Sequence, residues 1–174
     1  MSWKLQIFSA FPDFFPGPLA HSLIGKAKQK AIWHDEIINL RDFATDIHQS
    51  VDAPPYGGGA GMIMRSDVVD KALHAKLDPK CHLILPSPRG KQMTQDWCAK
   101  MSKTQGIAII CNRYQGIDER IIKLWKPEMI SIGDYIVAGG ETAAIVIGES
   151  CIRLLDQVIS NHQSFDGESY NQYL

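Results

Sequence analysis

The sequence has 174 residues, of which 45% are hydrophobic and 21% are charged, and its formal net charge is −1 at pH 7. A chain of this length is typical of one globular domain with a substantial buried core. The near-neutral charge excludes the global basic signature of an autonomous nucleic-acid binder, and the absence of a long apolar run in the sequence argues against a membrane span.

The four cysteines, Cys81, Cys98, Cys111 and Cys151, are widely spaced and form no CxxC pair in the sequence. No histidine cluster with ligand spacing accompanies them, so we predict no metal site. Cys81, Cys111 and Cys151 lie at or within apolar segments, which favours buried free thiols over disulfides. The N-terminal sequence also lacks the basic stretch and apolar core of a secretion signal. We therefore expect a cytoplasmic protein without a membrane partner.

Strand-like and helix-like patterns alternate along the chain. Apolar runs bounded by turn residues predict strands over residues 5–8, 36–40, 82–85, 106–111 and 129–132. Apolar residues at helical spacing predict helices over 19–30, 67–77, 94–103, 118–125 and 141–159. Ser66 and Thr94 are suitable N-caps for the second and third helices. This alternation predicts an α/β fold with a mainly parallel sheet flanked by helices.

Polar loops follow three of the predicted strands. The prolines of the 86–90 segment predict a turn directly after the third strand. The fourth strand ends in the loop 112–116, and the fifth ends in the glycine-bearing loop 133–141. Because ligands of open α/β sheets bind beyond the carboxyl ends of the strands, we expect these loops to form a pocket walled largely by backbone.

Two further motifs invite other interpretations. The glycine-rich loop 57–61 lacks the Gly-Lys-Ser/Thr of a P-loop and does not have dinucleotide-binding spacing, so it predicts a mobile loop that needs positive backbone dihedrals. The adjacent carboxylates Asp118 and Glu119 could suggest a metal site, but neighbouring residues of a helix do not face the same point. We expect helix-terminal charge and a structural ion pair there.

Four segments together carry a resemblance that covers essentially the whole chain. The segments VDAPPYGGGAGM, LPSPRGK, RYQGIDER and SIGDYIVAGGE occur in this order. They resemble the signature loops of the bacterial tRNA (guanine-N1)-methyltransferases, the TrmD family of SPOUT methyltransferases. The resemblance implies transfer of a methyl group from S-adenosylmethionine to N1 of the guanosine at position 37 of tRNA.

The resemblance also implies an architecture. It predicts a SPOUT fold over residues 1–160 with a C-terminal deep trefoil knot over about 82–160, and a homodimer with each active site built across the interface. Residues 161–174 would be an interdomain linker, because family members continue into a small helical domain that grips the tRNA. We therefore expect weak tRNA binding by this chain.

Residue by residue, the resemblance assigns three groups of site residues. The catalytic residues would be Arg153, which stabilises the charge on O6 of guanine, and Glu168 or Asp166, which removes the N1 proton. The residues that contact the target guanosine would be Asp52, Tyr56, Gly59 and Gln115. The residues that bind S-adenosylmethionine would be Leu85, Pro86, Ser87, Pro88, Gly90, Asn112, Tyr114, Gly116, Ser131, Ile132, Gly133, Tyr135, Val137, Gly139 and Gly140.

Three positions depart from the family pattern. Gln115 replaces a glutamate, Asn112 replaces a glycine, and Glu168 stands where the family has aspartate. Asparagine tolerates a left-handed backbone better than other non-glycine residues. Two alternatives therefore stay open beside the main hypothesis: an S-adenosylmethionine-binding module with a decayed catalytic site, and another SPOUT RNA methyltransferase, for instance one that methylates ribose.

Overall fold

The computed structural model describes residues 2–159 and Tyr170. Its centre is a five-stranded sheet formed by β1 (Trp3–Ser9), β2 (Trp33–Asn39), β5 (His82–Gln92), β6 (Gly106–Ile110) and β7 (Glu128–Ser131). The strands lie in the order β2-β1-β6-β5-β7. All neighbouring strands of this sheet pair in parallel. The predicted α/β class with a parallel sheet is confirmed.

Helices cover both faces of the sheet, because alternate residues of each strand point to opposite faces. On one face, Leu5 and Ile109 pack with buried residues of α1 (Ser22–Gln29), α3 (Gln95–Ser102) and α5 (Gly140–Ile152). On the other face, Phe8 and Ile110 pack with α2 (Ser66–Lys76) and α4 (Glu119–Trp125). The sheet thus separates two apolar cores, and its carboxyl edge is left for loops.

The predicted turn after residue 85 is wrong, since β5 continues to Gln92. The chain bulges outward between Pro86 and Lys91, and both of these residues are registered against Ile130 of β7. A bulge lets the strand accommodate two prolines, which cannot donate to a ladder, and then resume pairing. The bulged residues project at the carboxyl edge of the sheet.

Two predicted helices are shorter than expected. The first begins at Ser22 rather than at residue 19, because Gly17–Ala20 form a separate 3₁₀ turn that contains Pro18. The last ends at Ile152 rather than at residue 159. Its apolar pattern continues because Leu154, Leu155 and Val158 still pack against the core in a non-helical conformation.

The two predicted N-caps have different outcomes. The Thr94 hydroxyl accepts a hydrogen bond from the Trp97 N–H at 3.2 Å, so this cap is confirmed and contributes about 1 kcal/mol. The Ser66 prediction is wrong, because Ser66 is the first residue of its helix and Arg65 occupies the cap position without a side-chain hydrogen bond.

A small antiparallel ribbon flanks the glycine-rich loop. It consists of β3 (Asp52–Ala53) and β4 (Ile63–Met64). The Gly57–Gly61 loop connects its two strands, and Gly57, Gly58, Gly59 and Gly61 all have positive φ. The ribbon therefore presents the glycine-rich loop as a defined arm beside the sheet edge.

Candidate active site

A pocket of about 850 Å³ opens at the carboxyl edge of the sheet. Its walls come from the β5 bulge, from the loop after β6 and the start of α4, from the end of β7 through the start of α5, and from the base of the glycine-rich loop. This volume is within the range of small-molecule sites, and the edge is where α/β sheets bind ligands. The structure thus brings the four motif segments together.

Most residues assigned to S-adenosylmethionine by resemblance line this pocket. They are Leu85, Pro86, Ser87, Pro88, Asn112, Tyr114, Gly116, Ser131, Ile132, Gly133, Tyr135, Val137, Gly139 and Gly140. Gly90 is outside the lining. A Cβ on Gly90 would lie 2.5 Å from the Ile130 backbone nitrogen, so the close approach of β5 to β7 is what requires glycine there.

Two of the four residues assigned to the target guanosine line the pocket, and two do not. Tyr56 and Gln115 line the pocket, whereas Asp52 and Gly59 lie outside its lining. Asp52 nevertheless lies beside Tyr114, which is part of the lining. Burial raises the pKa of the Tyr114 phenol above its ordinary value, and a hydrogen bond to the Asp52 carboxylate adds to the increase.

Of the three assigned catalytic residues, the structure describes Arg153, which does not line the pocket. Arg153 is the C-cap residue of α5, whereas the pocket is lined by Gly140 at the other end of this helix. A helix of 13 residues is about 20 Å long. Glu168 and Asp166 are outside the described residues, as are most of the residues assigned to the linker 161–174.

The loop after β7 is held in a tight conformation. The Ser131 hydroxyl donates to Gly133 O at 3.1 Å, and the Tyr135 hydroxyl donates to Ile132 O at 3.0 Å. Gly133 has φ +146, and a Cβ there would lie 2.4 Å from the Tyr135 ring. Glycine at 133 is therefore favoured by the backbone conformation, whereas the exposed Tyr135 ring can move away from an added side chain.

The loop after β6 contains the strained residue of the pocket wall. Tyr114 has φ 59, which is uncommon for a residue other than glycine. Asn112 is not in the left-handed region, so the expected need for a permissive residue at 112 is not borne out by its backbone. Instead, the Asn112 carbonyl accepts a hydrogen bond from the Gly140 N–H at 2.7 Å and joins the loop to α5.

A buried ion pair lies beneath this junction. Glu141 is fully buried, and its two carboxylate oxygens accept hydrogen bonds from Ser9 Oγ and from Arg113 Nε, each at 2.8 Å. The Arg113 guanidinium also stacks on the Phe11 ring, with 4.5 Å between Cζ and the ring centroid. The ends of β1 and β6 and the start of α5 are therefore joined by one charged network.

The glycine-rich arm is bound to the pocket wall along its stem. Gln115 N–H donates to Met62 O, and Met64 N–H donates to Gly116 O, both at 3.0 Å. At the arm's base, the Tyr56 ring lies 4.9 Å from the Arg120 guanidinium. These contacts fix the arm beside the pocket although the Tyr56 side chain itself is largely exposed.

The expected structural ion pair at the start of α4 is confirmed. Asp118 is the N-cap, and its carboxylate binds Arg120 at 2.6 Å. The Arg120 guanidinium lowers the pKa of Asp118, and Asp118 in turn raises the pKa of Arg120. Among the described residues, no three His, Cys, Asp or Glu side chains cluster as a metal site would require.

All four cysteines are free thiols, which confirms the prediction made for Cys81, Cys111 and Cys151. Cys98, Cys111 and Cys151 are buried, whereas Cys81 is half-buried. Burial raises the pKa of Cys81 to about 11. Across residues 2–159, none of the helices is long and apolar enough to cross a membrane.

Sequence reasoning missed several charged residues of the site. Arg89, Arg113, Glu119 and Arg120 line the pocket, and Glu141 lies behind it. Position alone could have indicated Arg113, since it follows the buried strand β6 directly. A single acidic residue at the start of the apolar helix α5 was the corresponding signal for Glu141.

The chain is similar to known proteins over nearly its full length. The family described as tRNA (Guanine-1)-methyltransferase TrmD matches residues 3–174. The tRNA (guanine-N(1)-)-methyltransferase of Wolbachia pipientis wMel is 47% identical over 173 residues, covering 98% of this chain and 73% of the relative. The protein of the same name from Anaplasma marginale (strain St. Maries) is 42% identical over 168 residues, covering 95% and 72%. That from Pelagibacter ubique (strain HTCC1062) is 42% identical over 172 residues, covering 99% and 75%.

Proposed function

Because the chain belongs to the TrmD family of tRNA (guanine-1)-methyltransferases, we propose that it transfers a methyl group from S-adenosylmethionine to N1 of the guanosine at position 37 of tRNA. The observation that carries this proposal is the convergence of the four family-like segments on one pocket at the sheet edge. A ribose-methylating enzyme of the same superfamily is disfavoured by the match to the guanine-N1 family.

The pocket suits a nucleoside-based methyl donor. It is lined by apolar side chains such as Leu85, Ile132 and Val137, together with loop backbone that can read an adenine edge. Gly116 has φ +114, and no atom lies within 4 Å of the place where its Cβ would stand, so the pocket is open at this wall. S-adenosylmethionine would supply an electrophilic methyl group, and the segments 85–88, 112–116 and 131–140 would hold it.

The acid–base chemistry requires two further groups. A carboxylate must accept the N1 proton, and a cation must stabilise the charge that develops on O6. We assign the first role to Glu168, with Asp166 as the alternative, and the second role to Arg153. The contacts proposed for the guanosine involve Tyr56 and Gln115, which line the pocket.

We further propose that the enzyme acts as a homodimer. Arg153 lies about one helix length from the pocket wall of its own chain. An arginine so placed can serve a pocket formed with a second subunit, which supports an active site shared between two chains. Exposed apolar residues of the pocket rim, such as Ile136 and Tyr135, are suited to such an interface.

The proposal also includes the knotted fold and the cellular location. The adjacent positions of β5, β6 and β7, together with the family match, support a SPOUT fold with a trefoil knot over about 82–160. A cytoplasmic location, with tRNA as the macromolecular partner, agrees with the four free thiols.

A methyl-transfer assay tests the function. We expect the chain to transfer label from S-adenosylmethionine to a tRNA transcript with guanosine at position 37, and to leave a matched transcript with adenosine at 37 unlabelled. Digestion and mass spectrometry should identify 1-methylguanosine. Label on ribose would indicate a different RNA methyltransferase, and no label from a folded sample would favour the decayed module.

A further inference from the structure

Arg113 is a cation of the pocket whose counter-charge lies behind the pocket wall. Its side chain is 22% exposed and lines the pocket, whereas its partner Glu141 is 0% exposed. The other acids of the lining are paired with largely exposed arginines: Asp118 binds Arg120 at 2.6 Å, and Glu119 lies 3.8 Å from Arg89. Arg113 is therefore held from the protein interior, whereas the side chains of Arg89 and Arg120 are 73% and 61% exposed.

The hydrogen bond to Glu141 fixes one edge of the Arg113 guanidinium. Nε donates to Glu141, and the guanidinium also lies over the Phe11 ring, so two contacts restrict rotation of the side chain. A guanidinium carries five donors in a planar fork that matches a pair of anionic oxygens. Once Nε is engaged, the two terminal nitrogens still carry donors that can be used together.

The surrounding chain makes room for this side chain. A Cβ on Gly139 would lie 2.4 Å from Arg113 Nε and 2.7 Å from Cζ. The third partner of the network, Ser9 Oγ, holds the other oxygen of Glu141 and accepts a hydrogen bond from the Phe11 N–H at 2.9 Å. Glu141 is thus fixed independently of Arg113, as expected of a group that orients a ligand-binding arginine.

We propose that Arg113 is the anion-recognition residue of this pocket and that Glu141 positions it. The ligand group is a pair of anionic oxygens, either the carboxylate of the methyl donor's amino-acid portion or a phosphate of the RNA. The inference rests on the proposed function, because that function brings both kinds of anion to the pocket. It adds an electrostatic contact to the backbone and apolar contacts proposed above for the methyl donor.

The test compares two ligands that differ in the amino-acid portion, which bears the carboxylate. S-adenosylhomocysteine carries the amino-acid portion, and 5′-methylthioadenosine lacks it. In Arg113→Lys the positive charge beside Glu141 is kept but the planar fork is lost, so folding is preserved. If Arg113 binds the donor's carboxylate, the Kd for S-adenosylhomocysteine rises roughly 10- to 100-fold and the Kd for 5′-methylthioadenosine is unchanged.

The same variant gives a different result if the ligand of Arg113 is a phosphate of the RNA. If Arg113 binds a phosphate, both Kd values stay at the wild-type level, and the KM for tRNA rises at least about tenfold while kcat changes less. The proposal is overturned if Arg113→Lys weakens both small ligands equally, or if neither the Kd values nor the KM for tRNA change. If the wild-type chain binds neither small ligand, the proposed function fails instead.

Glu141→Gln tests the positioning role. It keeps an acceptor for Ser9 and Arg113 but removes the charge, so we expect it to lower the same affinity or KM that Arg113→Lys affects, to a smaller extent. Glu141→Asp should restore part of the effect. Arg65→Lys is the matched control, because Arg65 is held by Asp46 and Asp67 away from the pocket, and its ligand affinities should equal those of the wild type.

Discussion

Replacing Gly140 by alanine is expected to lower the free energy of unfolding by about 1–3 kcal/mol and to abolish binding of S-adenosylhomocysteine. A Cβ at this position would lie 2.7 Å from the Asn112 backbone nitrogen and 2.9 Å from Cα of Cys111. Both are backbone atoms, so relief requires the end of β6 or the start of α5 to move. Urea denaturation and calorimetric titration measure the two effects.

The pocket is affected because the same backbone forms its wall. Gly140 N–H donates to Asn112 O at 2.7 Å, and both residues line the pocket. The matched control is Gly148→Ala in the same helix, where the new Cβ would meet only side-chain atoms, the nearest being Leu5 Cδ2 at 3.1 Å. Alanine is also the better helix former by roughly 0.8–1.0 kcal/mol, so this variant should stay near wild-type stability and bind normally. Equal behaviour of the two variants would contradict the packing account.

Replacing Arg113 by methionine is expected to lower the free energy of unfolding by about 3–5 kcal/mol. The Glu141 carboxylate is 0% exposed and would lose its ionic partner. An uncompensated buried charge costs far more than the intact ion pair contributes, because the carboxylate has no water to replace the guanidinium. Chemical denaturation of the variant beside the wild type gives the difference directly.

A double variant separates the charge from the packing. Arg113→Met with Glu141→Leu removes both charges, and it should recover most of the stability because two apolar side chains replace the pair. Lys28→Met is the control for a pair whose acid keeps contact with solvent: Lys28 and Asp35 lie 2.6 Å apart and are 33% and 14% exposed, and the loss should stay below about 1 kcal/mol. A double variant as unstable as Arg113→Met would show that the buried charge is not the cause.

Local patterns predicted the central strands because these are short apolar runs bounded by turn residues. β6 was predicted almost to the residue, since all five of its residues are buried. The error at β5 arose because Pro86 and Pro88 resemble the end of a strand. Only the neighbouring strand β7 shows that the chain resumes pairing at Lys91.

The boundaries of α5 and the ribbon had no sufficient local signal. Leu154, Leu155 and Val158 keep an apolar pattern after the helix has ended, because they pack into the same core. The ribbon strands are only two residues each, which is too short for any periodicity to be recognised. Tertiary contacts determine both features.

The site was predictable as a set of loops but not as a charged network. The loop positions at the strand ends and the four motif segments indicated most of the pocket lining. Arg113 and Glu141 are 28 residues apart in sequence, and Ser9 is 132 residues from Glu141. No sequence spacing indicates such a contact, because it exists only once β1, β6 and α5 have been assembled.

The most direct test of the central claim is a calorimetric titration of the wild-type chain with S-adenosylhomocysteine. We expect saturable binding in a sample whose circular dichroism shows an α/β fold, because the four segments already form the pocket in the folded chain. Absence of binding in that folded sample would contradict the assignment of the pocket to the methyl donor.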